Sequence, residues 1–456
     1  MKPQLKLSPY QKSKLRLLLA HVLKTNQFYK KKYSNIKKRD INIHFINLFT
    51  QLPLLSKKEL IQDQEKFPLF GKNNDKTNAD YYIQATSGTS TGRPLLMPIS
   101  KRDYIQYCEL NKYSLIACGV NKKDIVFIST APNLYAHFIE SVSQIGATPI
   151  PADLYSSLQT LQTISYSKAT TIITSPTVLS SLITIIKQNS VNLSLLSSLK
   201  KVIVSGENIT IKTVNYFEKS LSVKCIPRFG LSELGNIAVG CKSSKNKVLY
   251  HHMPKSSVLE VLSLTSGKYA NEGEMILTNL WRKNYPFIKY RTGNKIKLIH
   301  KKCQCGLEGQ KFEYLGRCDN TIRFYTKYIY PDECELILQN NKDIVDYQIE
   351  LAEKNGIETI IIKIKTDLEN NKNLLLSIME EFEKRFGLHP KIISVSEIDR
   401  SRSQWKSKRF IDLRPVLYPL LSVQKKKNSV LYAFINKFKS QSIHLFGKFI
   451  IKTIHS

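Results

Sequence analysis

Acidic residues are scarce at both ends of this chain of 456 residues. Residues 1–58 contain 12 lysines and 2 arginines against one acid, Asp40, and residues 413–456 contain 7 lysines and one arginine without any acid. These two segments carry +13 and +8 of the formal net charge of +33, which leaves +12 for the long middle part. Such basic ends favour a nucleic acid, an anionic membrane or an acidic protein as partner, and a lysine-rich composition on an ordinary fold explains them equally well.

Long apolar runs are missing as well. No stretch approaches the roughly 18 consecutive apolar residues of a transmembrane helix, and residues 1–20 lack the apolar run and cleavage site of a signal peptide. We therefore expect a cytoplasmic protein. Its eight cysteines are better explained as reduced thiols or metal ligands than as disulfides. A hydrophobic content of 42% excludes a collagen-like or wholly disordered chain.

Apolar runs alternate with helical patterns between about residues 80 and 300, which is typical of an α/β layered domain. We predict buried strands at 124–128, 171–174 and 201–204, separated by helices at 102–118, 136–145, 156–166 and 176–188. A basic amphipathic helix is expected before them, over residues 8–34. The predicted organisation is a large N-terminal domain (1–316), a small α+β C-terminal domain (317–415) and a basic amphipathic tail (416–456).

The loop Thr86–Pro94 is rich in serine, threonine and glycine and follows an expected strand. Its amides, hydroxyls and glycines suit a nucleotide polyphosphate. However, it lacks the Gly-Lys-Ser/Thr ending of a P-loop NTPase. Taken alone, the loop is better explained as a flexible polar linker.

Five further motifs follow it in order: Ser205–Gly206–Glu207, Arg228–Phe229–Gly230–Leu231–Ser232–Glu233, Tyr290–Arg291–Thr292–Gly293–Asn294, Gly316–Arg317–Cys318–Asp319 and Trp405–Lys406–Ser407–Lys408–Arg409. The ordered set resembles the adenylate-forming superfamily of acyl-CoA synthetases, and within it the phenylacetate-CoA ligase-like branch that includes capsule-synthesis relatives. The resemblance extends from the N-terminal helix and the segment 52–57 to about Arg414.

The resemblance implies an ATP-dependent ligase that converts a carboxylic acid, of aryl or short-chain type, into an acyl-adenylate with release of pyrophosphate. A mobile C-terminal domain would then turn about the hinge Asp319, and CoA or a carrier-protein thiol would take the acyl group. Lys406 would bridge the carboxylate and the α-phosphate, Arg291 would be a second catalytic residue, and Glu233 would help to hold Mg²⁺. Lys408 is an alternative to Lys406.

The nucleotide-binding residues implied by the resemblance come from three regions. The phosphates would be held by Ser87, Gly88, Thr89, Ser90, Thr91 and Gly92. The adenine pocket would be formed by Gly206, Glu207 and Phe229, with Gly230 and Ser232 in the same motif. The ribose end would be held by Asn294 and Arg317.

Cysteines suggest a second site, one that binds a metal. The resemblance implies a structural zinc site with a tetrahedral set of three thiolates and one imidazole, formed by Cys241, His251, Cys303 and Cys305. His252 is an alternative to His251, because spacing does not separate neighbours. The other cysteines are expected to be buried thiols: Cys108, Cys118, Cys225, Cys318 and Cys334.

Three positions depart from the family pattern: Asn294 replaces an aspartate, and Thr326 and Trp405 replace glycines. They motivate a first alternative, a catalytically impaired relative that keeps the fold as a binding or scaffold protein. A second alternative is a basic nucleic-acid-binding protein, which we rank last because no base-reading motif is present. Relatives place acyl-pocket aromatics near Tyr135, His137 and Phe138.

The basic tail contains an amphipathic pattern over residues 429–439. It suits a peripheral contact with the inner membrane surface, a helix that docks on its own protein, or an acidic acyl-carrier protein as partner.

Overall fold

The computed structural model describes residues 5–36, 45–74, 81–86, 94–130, 132–152, 157–207, 209–242, 247–318, 322–324, 327–329, 331–341, 343–354, 357–368, 371–398 and 409–413. Within these ranges, no helix combines the length and the apolar character needed to cross a membrane. Two compact units divide the chain, one formed by Met1–Glu350 with Ile360–Ile411 and the other by Leu351–Thr359 with Asp412–Ser456. The domain boundaries expected at residues 316 and 415 remain predictions.

Among the residues that the structure describes, four helices open the first unit: α1 (Pro9–Thr25), α2 (Gln27–Lys32), α3 (Phe45–Gln51) and α4 (Lys57–Lys66). The single helix predicted over residues 8–34 is therefore broken. Asn26 is extended and its side chain accepts a hydrogen bond from the amide of Tyr29, so it ends α1 and caps α2. The apolar face of α1 is buried at Leu15, Leu18, Leu19 and Val22.

The described strands between residues 81 and 317 form two sheets. β1 (Tyr81–Ala85) and β2 (Leu96–Ser100) pair as an antiparallel hairpin. The strands of the large sheet are β3 (Ile125–Ile128), β4 (Thr148–Pro151), β5 (Thr171–Thr174), β6 (Lys201–Val204), β7 (Lys224–Leu231), β8 (Gly235–Lys242), β9 (Val248–His252), β10 (Ser257–Leu262), β11 (Glu272–Asn279), β12 (Tyr290–Ile299) and β13 (Lys311–Arg317). These 11 strands have the order β10-β11-β12-β13-β9-β8-β7-β6-β5-β3-β4 in the sheet.

Strand β7 separates two halves of this sheet. On one side, β7, β6, β5, β3 and β4 are all parallel. On the other side, β8, β9, β13, β12, β11 and β10 are antiparallel. Polar groups at the carboxyl end of β7 therefore lie where the sheet changes its pairing, a frequent position for ligand sites in α/β folds.

Helices cover both faces of the parallel half: α5 (Lys101–Ala117), α6 (Pro132–Ser143), α7 (Ser157–Tyr166), α8 (Pro176–Gln188) and α9 (Ile211–Leu221). Alternate strand residues divide between two cores. Phe127 and Ile172 share a core with Leu179 of α8, while Val126 and Ile173 share the other with helices α5 and α6. The predicted α/β fold is confirmed.

The chain continues with β14 (Ile322–Phe324), β15 (Lys327–Ile329), α10 (Pro331–Asn340), β16 (Ile344–Lys354), β17 (Ile357–Thr366), α11 (Lys372–Phe386), β18 (Lys391–Ser394) and β19 (Phe410–Asp412). A four-stranded sheet has the order β18-β17-β16-β19, and helix α11 buries Leu374, Ile378 and Phe382. This mixed arrangement agrees with the small α+β part expected from the sequence. In the second unit, the amide of Leu413 donates to the carbonyl of Leu351 at 2.7 Å.

Candidate active site

The carboxyl ends of strands β6 and β7 bring two of the predicted motifs together. β6 and β7 are parallel neighbours, so Gly206 and Glu207, which follow β6, lie at the same edge of the sheet as the end of β7. Gly206 has a φ of +94°. The Glu207 carboxylate accepts a hydrogen bond of 2.6 Å from the hydroxyl of Thr177, at the start of α8.

The turn after β7 depends on a glycine. The β7–β8 pairing shifts register between Phe229 and Gly230, an irregularity of the kind that re-aims side chains near functional sites. Gly235 then has a φ of +75°, and a Cβ atom there would lie 2.3 Å from the Tyr107 ring. Glu233 lies in the tight turn between Gly230 and Gly235, and its side chain is buried.

Two groups hold one oxygen of Glu233. The hydroxyl of Tyr290, the first residue of β12, donates to Oε1 at 3.1 Å. The ammonium of Lys57 lies 3.4 Å from the same oxygen. Among the described residues, no hydrogen bond or ion pair engages Oε2 of Glu233, so that oxygen is available to a cation.

The N-terminal segment delivers Lys57 by backbone pairing. The amide of Leu55 donates to the carbonyl of Lys289 at 2.9 Å, and the amide of Arg291 donates to the carbonyl of Leu55 at 2.8 Å. Ser56 then caps α4 in a capping box with Glu59. Lys57 is the first residue of this helix and therefore has a fixed position beside Glu233.

Phe229 lies in an aromatic cluster from three strands. It is half-buried, and its ring centre lies 5.6 Å from those of Tyr250 and Phe312 and 5.4 Å from that of Tyr314. Gly230, the next residue, is exposed. The resemblance implied that Phe229 stacks on adenine, and a half-buried side chain beside an exposed glycine is compatible with that.

Asn294 and Arg317 are register partners on β12 and β13. Asn294 is buried and its Nδ2 donates to the carbonyl of Thr292 at 3.3 Å, while Nη2 of Arg317 donates to the same carbonyl at 3.3 Å. The structure therefore brings together two of the residues predicted for the ribose end of a nucleotide. The shared carbonyl orients both side chains.

Arg291 is paired with an acid that the sequence analysis did not single out. Its Nε and Nη2 donate to one oxygen of Glu274 at 2.9 and 2.7 Å. The other oxygen of Glu274 accepts the amide of Gly293 at 3.1 Å. Glu274 thus orders the start of β12, and the predicted catalytic role of Arg291 remains a prediction.

The predicted cysteine and histidine ligands converge at one point. The ligand atoms of Cys241, His251, Cys303 and Cys305 all lie within 4.8 Å of one another. The His251 Nε2 atom is 3.3 Å from Sγ of Cys241 and 3.2 Å from Sγ of Cys305, and the sulfurs of Cys241 and Cys303 are 3.6 Å apart. Distances of this size are those expected around one tetrahedral ion with bonds of about 2.0–2.3 Å.

Strand register decides between the two neighbouring histidines. His251 pairs with Val239, two residues before Cys241, so both point to the same face. His252 points the other way, is buried, and its Nε2 lies 2.9 Å from the Ser257 hydroxyl. His251, and not His252, therefore belongs to the cluster.

Local electrostatics favour metal-binding protonation states in part of this cluster. Burial lowers the pKa of His251, with a contribution from Lys311, so its imidazole is neutral. Burial opposes ionisation of Cys303, yet hydrogen bonds from Cys305 and Cys241 leave its pKa net lowered. Burial raises the pKa of Cys241. A cation would therefore be needed to ionise Cys241.

Of the cysteines outside the cluster, Cys108, Cys118, Cys225 and Cys334 are buried as predicted, whereas Cys318 is only half-buried. Burial raises the pKa of Cys108 and Cys118 to about 11. Such thiols are protonated at neutral pH and have the character of small apolar side chains.

Several predicted site residues lie outside the described part of the chain. They are Ser87, Gly88, Thr89, Ser90, Thr91, Gly92, Asp319, Thr326, Trp405, Lys406, Lys408 and the whole tail from residue 416. Ser232, in contrast, lies within the turn after β7 and is half-buried.

Sequence reasoning missed four residues that organise the site: Lys57, Glu274, Tyr290 and Thr292. Lys57, Tyr290 and Thr292 stand inside motifs quoted for the resemblance, so a signal was present for them. Glu274 belongs to none of the motifs, and only the pairing of β11 with β12 places it beside Arg291.

The chain has the fold of the adenylate-forming, AMP-binding enzymes, and distant phenylacetate-coenzyme A ligases match it over most of its length. The family model for the AMP-binding enzyme C-terminal domain matches residues 326–414.

Particular relatives are similar to this chain over most of its length. Phenylacetate-coenzyme A ligase of Thermus thermophilus is 22% identical over 80% of this chain and 82% of its own length. The enzyme of the same name from Aromatoleum evansii is 24% identical over 80% and 85%. The crystal structure of 2-hydroxyisobutyryl-CoA ligase in the postadenylation state, in complex with 2-HIB-AMP, superposes with a TM-score of 0.75 at 16% identity and covers 88% of each chain.

Proposed function

We propose that this protein is an AMP-forming acid–thiol ligase. It activates a carboxylic acid with ATP, releases pyrophosphate and transfers the acyl group from the adenylate to CoA or to a carrier-protein thiol. The proposal is carried by the contacts that join the predicted motifs, in a chain whose relatives are acid–CoA ligases: Glu233 with Tyr290, Phe229 with Tyr314, and Asn294 with Arg317.

The nucleotide would bind between the ends of β6, β7 and β13. Phe229 would stack on the adenine, and the turn at Gly206 and Glu207 would line the same pocket. Asn294 and Arg317 would contact the ribose end. Their existing bonds to the Thr292 carbonyl hold both side chains in place, which lowers the entropy that ATP binding must overcome.

The residues around Glu233 fit a magnesium ion. Its Oε1 is occupied by Tyr290 and Lys57, while Oε2 has no partner among the described residues. Oxygen ligands of this kind, together with phosphates and waters, are what Mg²⁺ prefers. When bound, Mg²⁺ would neutralise phosphate charge as pyrophosphate leaves.

The remaining chemistry needs a cation between two anions. A carboxylate is already a nucleophile, but the α-phosphate repels it, so a lysine between them offsets the repulsion. Lys406 is proposed for this role, and Ser87–Gly92 for the β- and γ-phosphates. These residues lie outside the described part of the chain and enter the proposal from their motifs.

The cysteine cluster fits zinc rather than a harder cation. Three thiols and one imidazole are soft and borderline ligands, which zinc prefers, and the complete set of four leaves no open position for chemistry. Cys303 and Cys305 lie in the loop between β12 and β13, and Cys241 and His251 lie on β8 and β9. Zinc would therefore tie that loop to the sheet and support the strands that carry Asn294 and Arg317.

A pyrophosphate-release assay over a panel of carboxylic acids tests this function. We expect release that requires acid, ATP and Mg²⁺ together, and its loss in Lys406→Ala and Glu233→Gln. A binding measurement with labelled ATP accompanies it. ATP binding without release for any acid would identify a binding protein that has kept the fold, and no ATP binding would reject the proposal.

A further inference from the structure

A buried histidine without hydrogen bonds lies close to the proposed active site. His137 of α6 is 1% exposed, and neither of its ring nitrogens has a hydrogen-bond partner among the described residues. Three tyrosine rings surround it, with centres 4.2 Å away for Tyr107, 5.0 Å for Tyr104 and 5.4 Å for Tyr82. Water hydrogen-bonds this imidazole in the unfolded chain. Burial among aromatic rings removes those hydrogen bonds, and no described residue replaces them.

A buried arginine belongs to the same cluster, and its charge adds to the effect of burial in lowering the pKa of His137. Arg282 is 0% exposed, and its guanidinium carbon lies 5.1 Å from the ring centre of Trp281, which stacks on Tyr107 at 5.2 Å. Its Nε has no partner, and its other contacts are long, at 3.5 Å to the Met97 sulfur and 3.4 Å to Oε1 of Gln84. Within the described residues, no ion pair neutralises it.

Asp103, a buried acid of the same region, already accepts hydrogen bonds from other groups. Both oxygens of Asp103 accept hydrogen bonds from the backbone amides of Lys283 and Asn284, at 2.9–3.2 Å. Asn284 itself is buried, and both polar atoms of its side chain lack partners among the described residues. The cluster therefore contains one full positive charge and two further polar groups whose bonding capacity is unused.

A second buried arginine has hydrogen-bond partners for its guanidinium. Arg228 is also buried, but its Nε donates to the Ser114 hydroxyl at 3.0 Å and its Nη2 to Oδ1 of Asn111 at 2.6 Å. Within the part of the chain that the structure describes, Arg282 has no hydrogen bonds as short as these, so its guanidinium has donors left for a bound ligand. A buried guanidinium without an ion pair destabilises the fold, and an anionic ligand would remove that cost.

The position of the cluster links it to the acid substrate. The indole of Trp281 donates to the carbonyl of Leu234, the residue after Glu233, at 3.3 Å. Tyr82 and Gln84 belong to β1, which leads directly into the predicted phosphate loop. Burial lowers the pKa of Arg282 only to about 10, so it stays charged, and lowers that of His137 to about 3, so it stays neutral and can donate one N–H.

Resting on the function proposed above, we propose that the acid activated by this protein carries a second carboxylate, which binds to Arg282 and His137. A dicarboxylic acid would present one carboxylate to ATP and the other to this cluster. The charged hydrogen bond to Arg282 would distinguish such acids from monocarboxylic acids of the same length, by about tenfold or more.

The test is acid-dependent ATP–pyrophosphate exchange with the full-length protein and matched pairs of acids: butyrate with succinate, valerate with glutarate, and benzoate with isophthalate. We expect kcat/KM to be at least about tenfold higher for the diacid in one or more pairs. Arg282→Met should reduce the diacid to the level of its monoacid, and Arg282→Lys should keep part of the preference. Arg228→Met is the matched control, since it removes an equally buried arginine and should leave the preference intact.

A second variant covers the case in which Arg282→Met does not fold. His137→Phe keeps a ring of similar size among the tyrosines, so it should fold and should lower kcat/KM for the diacid by a larger factor than kcat/KM for the monoacid. Exchange with monoacids at equal or higher kcat/KM would overturn the inference and leave the ligase function standing. Exchange with no acid at all would reject the ligase function itself.

Discussion

The hydroxyl of Tyr290 donates a hydrogen bond of 3.1 Å to Glu233. Lys57 contacts the same carboxylate oxygen from the start of helix α4. The proposed magnesium ligand is thereby fixed by groups from strand β12 and from the N-terminal basic segment. That segment, which first suggested a polyanion partner, contributes at least one lysine to the site.

Lys57→Met should lower the Mg²⁺ concentration that half-saturates pyrophosphate release. An ammonium 3.4 Å from Glu233 competes with a divalent cation for the same carboxylate, and both side chains are largely buried. We expect a change of about two- to fivefold, because water screens part of the interaction. Magnesium titrations at fixed ATP give the measurement.

The neighbouring lysine provides the control for that experiment. Lys58 is exposed. Lys58→Met removes the same charge and should leave the magnesium dependence unchanged. Equal effects of the two variants, or a higher magnesium requirement in Lys57→Met, would contradict the assigned contact.

Asn294→Asp should lower the KM for ATP by about three- to tenfold, since a carboxylate accepts a charge-assisted hydrogen bond from ribose hydroxyls. It should also lower the melting temperature. The present Nδ2 donates to the Thr292 carbonyl, and an aspartate oxygen would repel it, with Arg317 offsetting part of the loss. Steady-state kinetics and thermal unfolding measure the two effects.

Asn192→Asp is a suitable comparison, because Asn192 is exposed, caps the short helix Leu193–Leu196, and aspartate caps equally well. It should change neither the KM for ATP nor the melting temperature by much. An unchanged KM in Asn294→Asp would argue that position 294 does not contact the nucleotide.

The cysteine cluster should bind about one zinc per chain, detectable by elemental analysis of the purified protein. Cys303→Ser and His251→Gln should each abolish this content and lower the melting temperature, because the β12–β13 loop loses its attachment to the sheet. His252→Gln, which removes a buried histidine outside the cluster, should retain the zinc. Full zinc content in His251→Gln would refute the assigned ligand set.

The free energy of unfolding should fall as the pH is lowered, because His137 is neutral in the folded protein. Its pKa in the fold is about 3, against an ordinary value of 6.5, so between these limits the unfolded chain binds a proton that the folded chain excludes. Stability therefore rises with pH across this window. Urea unfolding at pH 7 and pH 5 should show a loss larger by about 2 kcal/mol in the wild type than in His137→Phe. Equal losses would place an ionised or solvated histidine at this position.

Much of the fold was predictable because its elements have simple signatures. Strand β5 and helix α8 appear at the residues predicted for them, since a buried parallel strand is a short apolar run and Ser175–Pro176 is a typical helix start. The break at Asn26 was missed. Apolar periodicity continues through it, and the cap depends on a side-chain bond to the Tyr29 amide that periodicity does not register.

The site was predictable where ligands stand in short motifs and unpredictable where distant strands meet. The resemblance implied that Cys303 and Cys305 are metal ligands, but only the β8–β9 register selected His251 over His252. The contact of Lys57 with Glu233 depends on the pairing of Leu55 beside β12. Arg282 has no motif at all, and its importance appears only from burial without a partner.

The most direct test of the account is acid-dependent ATP–pyrophosphate exchange by the wild-type protein, compared with Lys406→Ala and with the acid omitted. Exchange measures adenylate formation without needing the thiol acceptor. The account predicts exchange only when acid, ATP and Mg²⁺ are all present, and its loss in the variant. Absence of acid-dependent exchange over both the monoacid and the diacid series, in a folded protein that binds ATP, would contradict it.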